Sequence, residues 1–514
     1  MQTPIYLDAN ATTPVLPCAA TAALQVMCEA FGNPSSTHAA GLQARARMQA
    51  VRDRATRLLD AGQGQLLFVS GATEAIQSAV LSALCDVRDR RARGDAAGSV
   101  LVVGATEHKA VPESLAHWNR VLGMGLQIAV LPVGADGRHD LAALQALAPQ
   151  AAVVCTMAAN NETGAVSDLD GIDQVLRRHA PQALWLVDGV QALGKLPLAL
   201  SRRRIDYAAF SGHKLYAPKG IGLLYVRSGA PFTPLLVGGA QEDAMRAGTE
   251  NLAGIAALGA VLQALEEGGT FRDPATLVRM RDRLVACLRS AFPGVVFNTP
   301  LQHALPTTIN FSVPGVPSRA LMDVLDAGGV QVSAGSACSA AKAAPSDVLL
   351  AMGVPAERAS SAIRLSFGPA TDEAWVDAAC ARILHCARAL ADAGRATPAP
   401  AEAEAPPAAS APAVADMPAF LAEHPQARII DVREAVERLA SGPVQLCGRT
   451  TAHAALSQLT QHAGSWMQEP EIPLVFVCRS GARSARAAGL LRSLGHANAW
   501  HLPGGLALQA AQAA

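Results

Sequence analysis

The sequence predicts an α/β protein whose main domain is a doubly wound, mostly parallel sheet with a smaller α+β lobe. Short β-like runs alternate with helical stretches along about the first 390 residues, which is the pattern of βαβ units. Several of these runs are continuously apolar, as expected for parallel strands that are buried on both faces. With 514 residues, half of them hydrophobic, the chain is long enough to bury a large core and is not a disordered protein.

The elements follow one another in a regular order. The strands predicted for the large lobe are the runs 66–69, 100–103, 152–157, 184–187, 207–210 and 222–226. The pattern then becomes helical around 260–295 and again around 372–394. Between these helical stretches, the runs 308–313, 331–333 and 363–367 predict the strands of the smaller lobe.

A change in composition divides the chain. Residues 393–416 are almost entirely Ala, Pro and Glu, and Val414 is their only large aliphatic residue. Such a run predicts an extended, semi-rigid linker because it has little apolar area to bury. We therefore expect a first domain over 1–392 and a second domain over 417–514. The first would comprise a large lobe at about 15–260 and a small lobe at about 261–392 that includes the N-terminal segment.

Charge and cysteine usage exclude several classes of protein. Lys and Arg together number 42, as do Asp and Glu, so the balance disfavours nucleic-acid binding and a polybasic membrane anchor. No apolar run reaches the ~18 residues of a membrane span, and the N-terminus lacks the pattern of a signal peptide. The ten cysteines are scattered without metal-binding spacing, so we expect no metal site, reduced thiols and a cytoplasmic protein.

Polar residues follow three predicted strands, where ligands bind in sheets of this kind. The segment 70–74 (Ser-Gly-Ala-Thr-Glu) opens a helix whose N–H groups could hold a phosphate, although an ordinary strand–helix turn explains it equally well. Asp188 follows the fourth strand, and by itself it could be a helix cap. Ser211, His213 and Lys214 crowd the end of the next strand, in a chain with only five lysines.

These three strand ends together predict one cofactor. Pyridoxal phosphate requires a carboxylate for its ring nitrogen, a lysine for its aldehyde and a cradle for its phosphate. Asp188 precedes Lys214 by 26 residues, and the 70–74 segment supplies the third element.

Ten ordered segments resemble the cysteine desulfurases of the iron–sulfur-cluster type, within the class V aminotransferase family. The resemblance covers roughly 1–392. Its segments are 6–14, 32–36, 70–74, 106–110, 160–164, 187–191, 211–214, 245–251, 333–338 and 363–366. It implies the type I fold of pyridoxal-phosphate-dependent transferases and the cofactor pyridoxal 5'-phosphate.

The resemblance also implies a role for each matching residue. Lys214 would hold the cofactor covalently and move protons, Asp188 would pair with the ring nitrogen, and His108 would stack on the ring. Gln191 and Asn161 would bond near the phenolate oxygen. The phosphate would be held by Ala72, Thr73, Ser211 and His213, and by Thr249 of a second subunit, which implies a homodimer.

The substrate and the nucleophile follow from the same resemblance. Arg364, assisted by Asn33, would bind the carboxylate of L-cysteine, which suits a bidentate guanidinium. Cys338 would be the nucleophile that receives the sulfur and releases alanine. It lies in a run of small residues, which permits the swing from the active site to an acceptor that the reaction requires.

The last 98 residues carry a second cysteine motif. A strand over 474–477 leads into Cys478, Arg479, Gly481 and Arg483, which predicts a loop of backbone N–H groups around the sulfur. Phosphatases use the same design, so the loop alone leaves the ligand open. Together with the segments 431–434 and 502–505, it resembles a rhodanese (sulfurtransferase) domain.

We therefore expect a desulfurase that relays sulfur from Cys338 through Cys478. The acceptors would be an iron–sulfur scaffold, a thiolation protein or another protein of sulfur-compound biosynthesis. Two alternatives stay open: a lyase of the same fold acting on selenocysteine or cysteine sulfinate, and an inactive desulfurase fold that serves as a sulfur carrier or scaffold.

Overall fold

The computed structural model describes residues 3–335, 345–394 and 411–512. The strands in chain order are β1 (Ile5–Tyr6), β2 (Gln65–Val69), β3 (Val100–Gly104), β4 (Gln127–Leu131), β5 (Ala151–Met157), β6 (Leu184–Asp188), β7 (Tyr207–Ser211), β8 (Gly222–Val226), β9 (Val296–Phe297), β10 (Thr308–Ser312), β11 (Val330–Gln331), β12 (Ala362–Ser366), β13 (Arg428–Asp431), β14 (Gln445–Leu446), β15 (Arg449–Thr450), β16 (Ala452–His453), β17 (Leu474–Val477) and β18 (Ala499–His501).

The helices lie between these strands and flank them. In chain order they are α1 (Pro17–Cys28), α2 (Ala39–Leu59), α3 (Ala72–Arg93), α4 (Ala110–Val121), α5 (Leu141–Leu147), α6 (Leu169–His179), α7 (Leu252–Glu267), α8 (Pro274–Ala291), α9 (Ser318–Ala327), α10 (Asp347–Ala351), α11 (Ala356–Ser360), α12 (Glu373–Gly394), α13 (Met417–Glu423), α14 (Ala435–Ser441), α15 (Leu459–Trp466), α16 (Ala482–Ser493) and α17 (Gly505–Gln512).

A seven-stranded sheet forms the centre of the larger fold, in the order β2-β8-β7-β6-β5-β3-β4. Neighbouring strands are parallel except for β8, which runs antiparallel to both β2 and β7. The α/β prediction is thus confirmed, with a mixed sheet. The apolar runs did not predict β4, because it is an edge strand with exposed residues such as Val130, which is 61% exposed. They could not predict the direction of β8 either, since burial does not depend on strand direction.

Helices cover both faces of this sheet, which gives it two hydrophobic cores. One core joins α3 and α4 to alternate strand residues such as Leu101 and Leu186. The other joins α2, α6 and α7 to the opposite set, including Val102 and Trp185. Because side chains alternate between the two faces of a strand, a continuously apolar strand supplies both cores at once.

The smaller lobe holds an antiparallel sheet in the order β12-β10-β9. In its register Arg364 of β12 lies opposite Asn310 of β10, and Asp8 forms a parallel bridge with Ser366. The N-terminal segment therefore joins this lobe, and a guanidinium emerges from a strand that is buried along its length.

The chain divides into two compact units. The larger consists of Ile5–Met322 and Gln331–Ala378, and the smaller of Met1–Pro4, Asp323–Val330 and Ala379–Ala514. The smaller unit contains a parallel sheet in the order β16-β13-β17-β18, and its core includes Phe476. Within the described part of the chain, no helix is both long and apolar enough to span a bilayer.

The run predicted as a linker differs at its two ends from an extended tether. Residue 393 and Gly394 end α12, and 395–410 lie outside the described residues. At the other end, the Val414 N–H donates to the His501 carbonyl at 2.9 Å, and Val414 is only 2% exposed. Val414 is the one large aliphatic residue of the run, and its burial packs the end of the run against β18.

Candidate active site

A cavity of about 540 Å³ opens at the carboxyl ends of the parallel strands of the larger unit. Its walls are formed by residues that follow β2, β3, β5, β6 and β7, together with parts of the N-terminal segment and β12. Ten of the residues expected at the site line it: Ala72, Thr73, His108, Asn161, Asp188, Gln191, Ser211, His213, Lys214 and Arg364. Parallel strands end at the same edge of a sheet, which is why residues so distant in sequence meet here.

Lys214 lies in the single helical turn that follows β7. Its Nζ donates to the carbonyl oxygens of Asn10 and Ala11, at 2.5 and 2.7 Å. These carbonyls belong to the N-terminal segment, so the amine is held at the junction between that segment and the sheet.

Asp188 is the last residue of β6 and is 6% exposed. Its Oδ1 accepts from the Val190 N–H at 3.0 Å, and burial raises the pKa of its carboxyl. A buried carboxylate is costly unless a positive charge faces it. A protonated ring nitrogen would supply that charge.

The start of α3 offers donors for an anion. Among the described residues no side chain caps this helix, and Gly71 occupies its N-cap position. Ala72 and Thr73 therefore bring uncapped N–H groups and the positive end of the helix dipole to the cavity wall. Ser211, at the end of β7, lines the same wall.

His213 lies beside Lys214 on this wall. Burial, followed by the charges of Lys214 and Lys219, lowers the pKa of its imidazole to about 4. Its Nδ1 lies 3.1 Å from Thr12 Oγ1. The ring is therefore neutral at physiological pH and can still donate one hydrogen bond.

Arg364 enters the cavity from the smaller lobe and is only 1% exposed. One terminal nitrogen donates to the Asn161 carbonyl at 3.1 Å, and the other pairs with the Asp8 carboxylate. Its Nε is buried and has no hydrogen-bond partner among the described residues. An unpaired buried N–H of this kind indicates a missing acceptor, and a carboxylate would provide one.

Three expected residues are not part of this cavity wall. Asn33 is exposed, and its side chain accepts from the Ser35 N–H at 2.9 Å. Thr249 is also exposed and lines a smaller neighbouring cavity with Ser70 and Arg246. Cys338 lies outside the described residues.

The structure adds residues to which the sequence analysis assigned no role. Asn10 is 1% exposed and donates from Nδ2 to Thr308 Oγ1 at 2.8 Å and to the Asn161 carbonyl at 3.1 Å. Lys195 donates to Gln191 Oε1 at 2.7 Å. The sequence marked both positions: Asn10 belongs to the 6–14 segment that matches the family, and Lys195 is one of only five lysines.

These residues fit pyridoxal phosphate. The buried Asp188 suits the ring nitrogen, Lys214 suits the aldehyde, and the uncapped start of α3 suits the phosphate. The buried Nε of Arg364 suits the carboxylate of an amino acid.

In the smaller unit, Cys478 follows β17 and is fully buried. Its Sγ accepts from the Gly481 and Ser484 N–H groups at 3.2 and 3.3 Å, as expected for a loop that surrounds a sulfur. Arg483 forms a two-point ion pair with Glu437, at 2.5 and 2.8 Å. Arg483 thus braces the loop, and backbone N–H groups contact the sulfur.

Comparison with known families matches two models. The aminotransferase class-V model matches residues 5–379, and the rhodanese-like domain model matches residues 416–510.

Comparison with individual proteins agrees with the aminotransferase class-V match. A cysteine desulfurase of Cereibacter sphaeroides is 39% identical over 376 residues, which are 73% of this chain and 93% of that protein. The solved structure of a NifS-like protein is 30% identical with a TM-score of 0.67, covering 76% of this chain and all of that one. The structure of SspA in complex with cysteine is 26% identical with a TM-score of 0.61, covering 71% of this chain and 99% of that one.

Proposed function

The chain belongs to the class-V aminotransferase family, as a pyridoxal-phosphate-dependent cysteine desulfurase with a C-terminal rhodanese-like domain, and on this basis we propose the path that sulfur takes through it. L-cysteine is converted to L-alanine, its sulfur is held on Cys338, and Cys478 passes that sulfur to acceptors. The observation that carries the desulfurase step is the meeting of Lys214, Asp188 and Arg364 in one cavity. The relay step rests on the N–H groups that surround the Cys478 sulfur. The cytoplasmic location expected from the cysteines stays a prediction.

Pyridoxal phosphate, when bound, supplies an electron sink for the carbon atoms of an amino acid. Lys214 holds the cofactor through Nζ and moves protons at that atom. The Asp188 carboxylate would hold the proton on the ring nitrogen, and His108 would stack on the ring and assist proton transfer. The His108 Nδ1 accepts from the Ala110 N–H at 3.2 Å, which orients the imidazole.

The remaining polar groups hold the cofactor in register. Gln191 and Asn161 bond near its phenolate oxygen. The N–H groups of Ala72 and Thr73 and the side chains of Ser211 and His213 would hold its phosphate. Thr249 is exposed on its own chain, where it can reach a neighbouring subunit. Thr249 of a second subunit would complete this cradle, and the proposed enzyme is therefore a homodimer.

Arg364 binds the substrate carboxylate, with its Nε and a terminal nitrogen as donors. This contact orients L-cysteine so that its thiol is presented for attack. Asn33 would be a secondary contact of the same carboxylate.

Cys338 accepts the sulfur. Its thiolate forms an S–S bond to the substrate sulfur while the substrate C–S bond breaks. The electron pair of that bond stays on carbon and takes up a proton, which yields alanine and a Cys338 persulfide. Cys478 then attacks the outer sulfur of the persulfide, so that an S–S bond forms on Cys478 and the Cys338 thiolate is released.

A Cys338→Ala variant tests the first step. We expect alanine release from L-cysteine to fall by more than ~1,000-fold, as it does when an enzyme loses its nucleophile, while the visible band of the bound cofactor persists. Cys28→Ala removes an exposed thiol and is the matched control. Undiminished alanine release would contradict the proposal, and activity retained only on selenocysteine or cysteine sulfinate would favour the alternative lyase. If the wild-type protein binds the cofactor without releasing alanine, it is a carrier or scaffold.

A Cys478→Ala variant tests the relay. We expect normal alanine release with a small thiol as acceptor, but no persulfide on the C-terminal domain by mass spectrometry of alkylated peptides. Cys447→Ala removes an exposed thiol of the same domain and is the control. Unchanged sulfur delivery to every protein acceptor from the Cys478→Ala variant would show that the relay does not exist.

A further inference from the structure

Lys195 is a second lysine at the cofactor pocket, and the proposed function does not use it. Its Nζ lies 2.7 Å from Gln191 Oε1 and 3.4 Å from Asn10 Oδ1. Among the described residues no carboxylate forms an ion pair with it. Its amine therefore contacts two side-chain amides that are themselves buried at the cavity.

The location is unfavourable for a positive charge. Burial, together with the nearby charges of Lys214 and Arg364, lowers the pKa of the Lys195 amine to about 7. An apolar side chain at this position would avoid that cost. The amine donates hydrogen bonds in both of its protonation states, so its contacts with the amides persist whether or not it is charged.

The contacts determine which way the amides point. The protonated amine has donors and no acceptor, so the end of Gln191 that faces it in that state is the oxygen. The Gln191 NH2 group is then directed the other way, and one of its N–H bonds is donated to the Asn10 carbonyl at 3.2 Å. Gln191 also lines the cavity, so its second N–H is available to a bound group.

The same reasoning applies to Asn10. Its Oδ1 faces Lys195, while its Nδ2 donates to Thr308 and to the Asn161 carbonyl. The Asn10 carbonyl, in turn, accepts from both Gln191 and Lys214. One amine thus orients two side-chain amides. The Gln191 amide shares the Asn10 backbone carbonyl with Lys214, and the Asn10 amide donates to the Asn161 carbonyl.

We propose that Lys195 is a positioning residue, which holds the Gln191 amide with its NH2 group toward the phenolate oxygen of the cofactor. This inference rests on the proposed function, since it assumes that Gln191 meets that oxygen. Without Lys195 the amide can turn over and present its oxygen instead, which would repel the phenolate.

The absorption of the cofactor-loaded enzyme reports on this contact. A hydrogen bond donated to the phenolate oxygen stabilises its anionic form, which lowers the pH at which the coloured group loses its proton. For Lys195→Met we expect the midpoint of the pH-dependent change in the visible band to rise by about one pH unit. Lys109→Met removes a lysine whose side chain is 67% exposed, and it should leave the midpoint in place.

A double-mutant cycle separates positioning from charge. If Lys195 acts through the amide, Lys195→Met should add less than about 0.3 pH units in a Gln191→Met background, because the contact is already lost. If it acts through its charge alone, the two shifts will add and the proposal is wrong. No shift in the single variant would also overturn it.

Two further measurements distinguish failure of this proposal from misfolding, loss of cofactor binding or failure of the proposed function. Should Lys195→Met not fold or not bind the cofactor, the midpoint of Lys195→Gln is measured instead. This variant removes the charge but keeps an amide N–H that can donate to Gln191, so the wild-type midpoint is expected, and a rise of about one pH unit would overturn the proposal. If the wild-type protein shows no visible band with added cofactor, the proposed function fails. If the band is present and alanine is released but the midpoints do not follow the cycle, only the role of Lys195 fails.

Discussion

At the scale of single residues, the cavity contains buried polar groups whose partners are incomplete among the described residues. The Asp188 carboxyl has a pKa raised by burial, and the Arg364 Nε has no acceptor among the described residues. Buried polar groups without partners destabilise a fold, so a protein retains them where a ligand supplies the missing partner. A cofactor with a protonated ring nitrogen and a substrate with a carboxylate meet both requirements.

Arg364→Lys tests the substrate contact. A lysine keeps the positive charge but cannot offer two parallel N–H donors, so we expect the KM for L-cysteine to rise about 10- to 150-fold, as for loss of one charge-assisted hydrogen bond. The kcat should fall less, because the reacting atoms keep their partners. Steady-state alanine release gives both constants, and Arg178→Lys, on the exposed side of α6, is the control. An unchanged KM would show that Arg364 does not bind the carboxylate.

At the scale of elements, helix starts and strand ends provide the hydrogen-bond donors of the cofactor cavity and of the Cys478 loop. The uncapped start of α3 faces the cofactor cavity, and the turn from β17 into α16 surrounds the Cys478 sulfur with N–H groups. In the second case the loop depends on α14. Glu437 accepts from Arg483 and, in a capping box, from the Glu434 N–H at 2.8 Å. The ion pair thus links the helix to the loop.

Glu437→Gln tests that link. The glutamine can keep the bond to the Glu434 N–H, but it removes the two-point charge partner of a largely buried guanidinium, which then keeps only its longer ion pair with Asp323 at 3.7 Å. We expect the C-terminal domain to lose about 3 kcal/mol of stability, so that the amides of β13 and β17 exchange with solvent about 100-fold faster in mass spectrometry. Glu471→Gln, at an exposed site, should have no such effect. Unaltered exchange in Glu437→Gln would mean that the loop is held by its backbone alone.

At the scale of the whole molecule, a donor cysteine and an acceptor cysteine belong to one chain. Tethering makes a transfer intramolecular, with an effective concentration of the order of millimolar for a short flexible connection. The packing of Val414 against β18 places the start of the folded segment that carries Cys478 before the predicted boundary at 417. A protease site that precedes this folded segment is therefore placed within 395–410.

A protease site inserted there tests the value of the tether. In the intact protein, the rate at which persulfide appears on Cys478 should not depend on protein concentration. After cleavage and dilution to about 1 µM, we expect this rate to fall by at least ~100-fold and to become proportional to concentration. Protease treatment of the chain without the inserted site is the control. A rate that stays independent of concentration after cleavage would show that the halves remain associated without the tether.

The sequence by itself determined the buried strands of the central sheet, the strand ends that carry Asp188 and Lys214, and the two families. These features are local, because apolar runs and short motifs depend on neighbouring residues in the chain. Only the tertiary structure decided the antiparallel direction of β8, the burial of Val414 and the contact of Lys195 with Gln191 and Asn10. Strand direction, a docking surface and an amide orientation each depend on groups that become neighbours only when distant segments pack together.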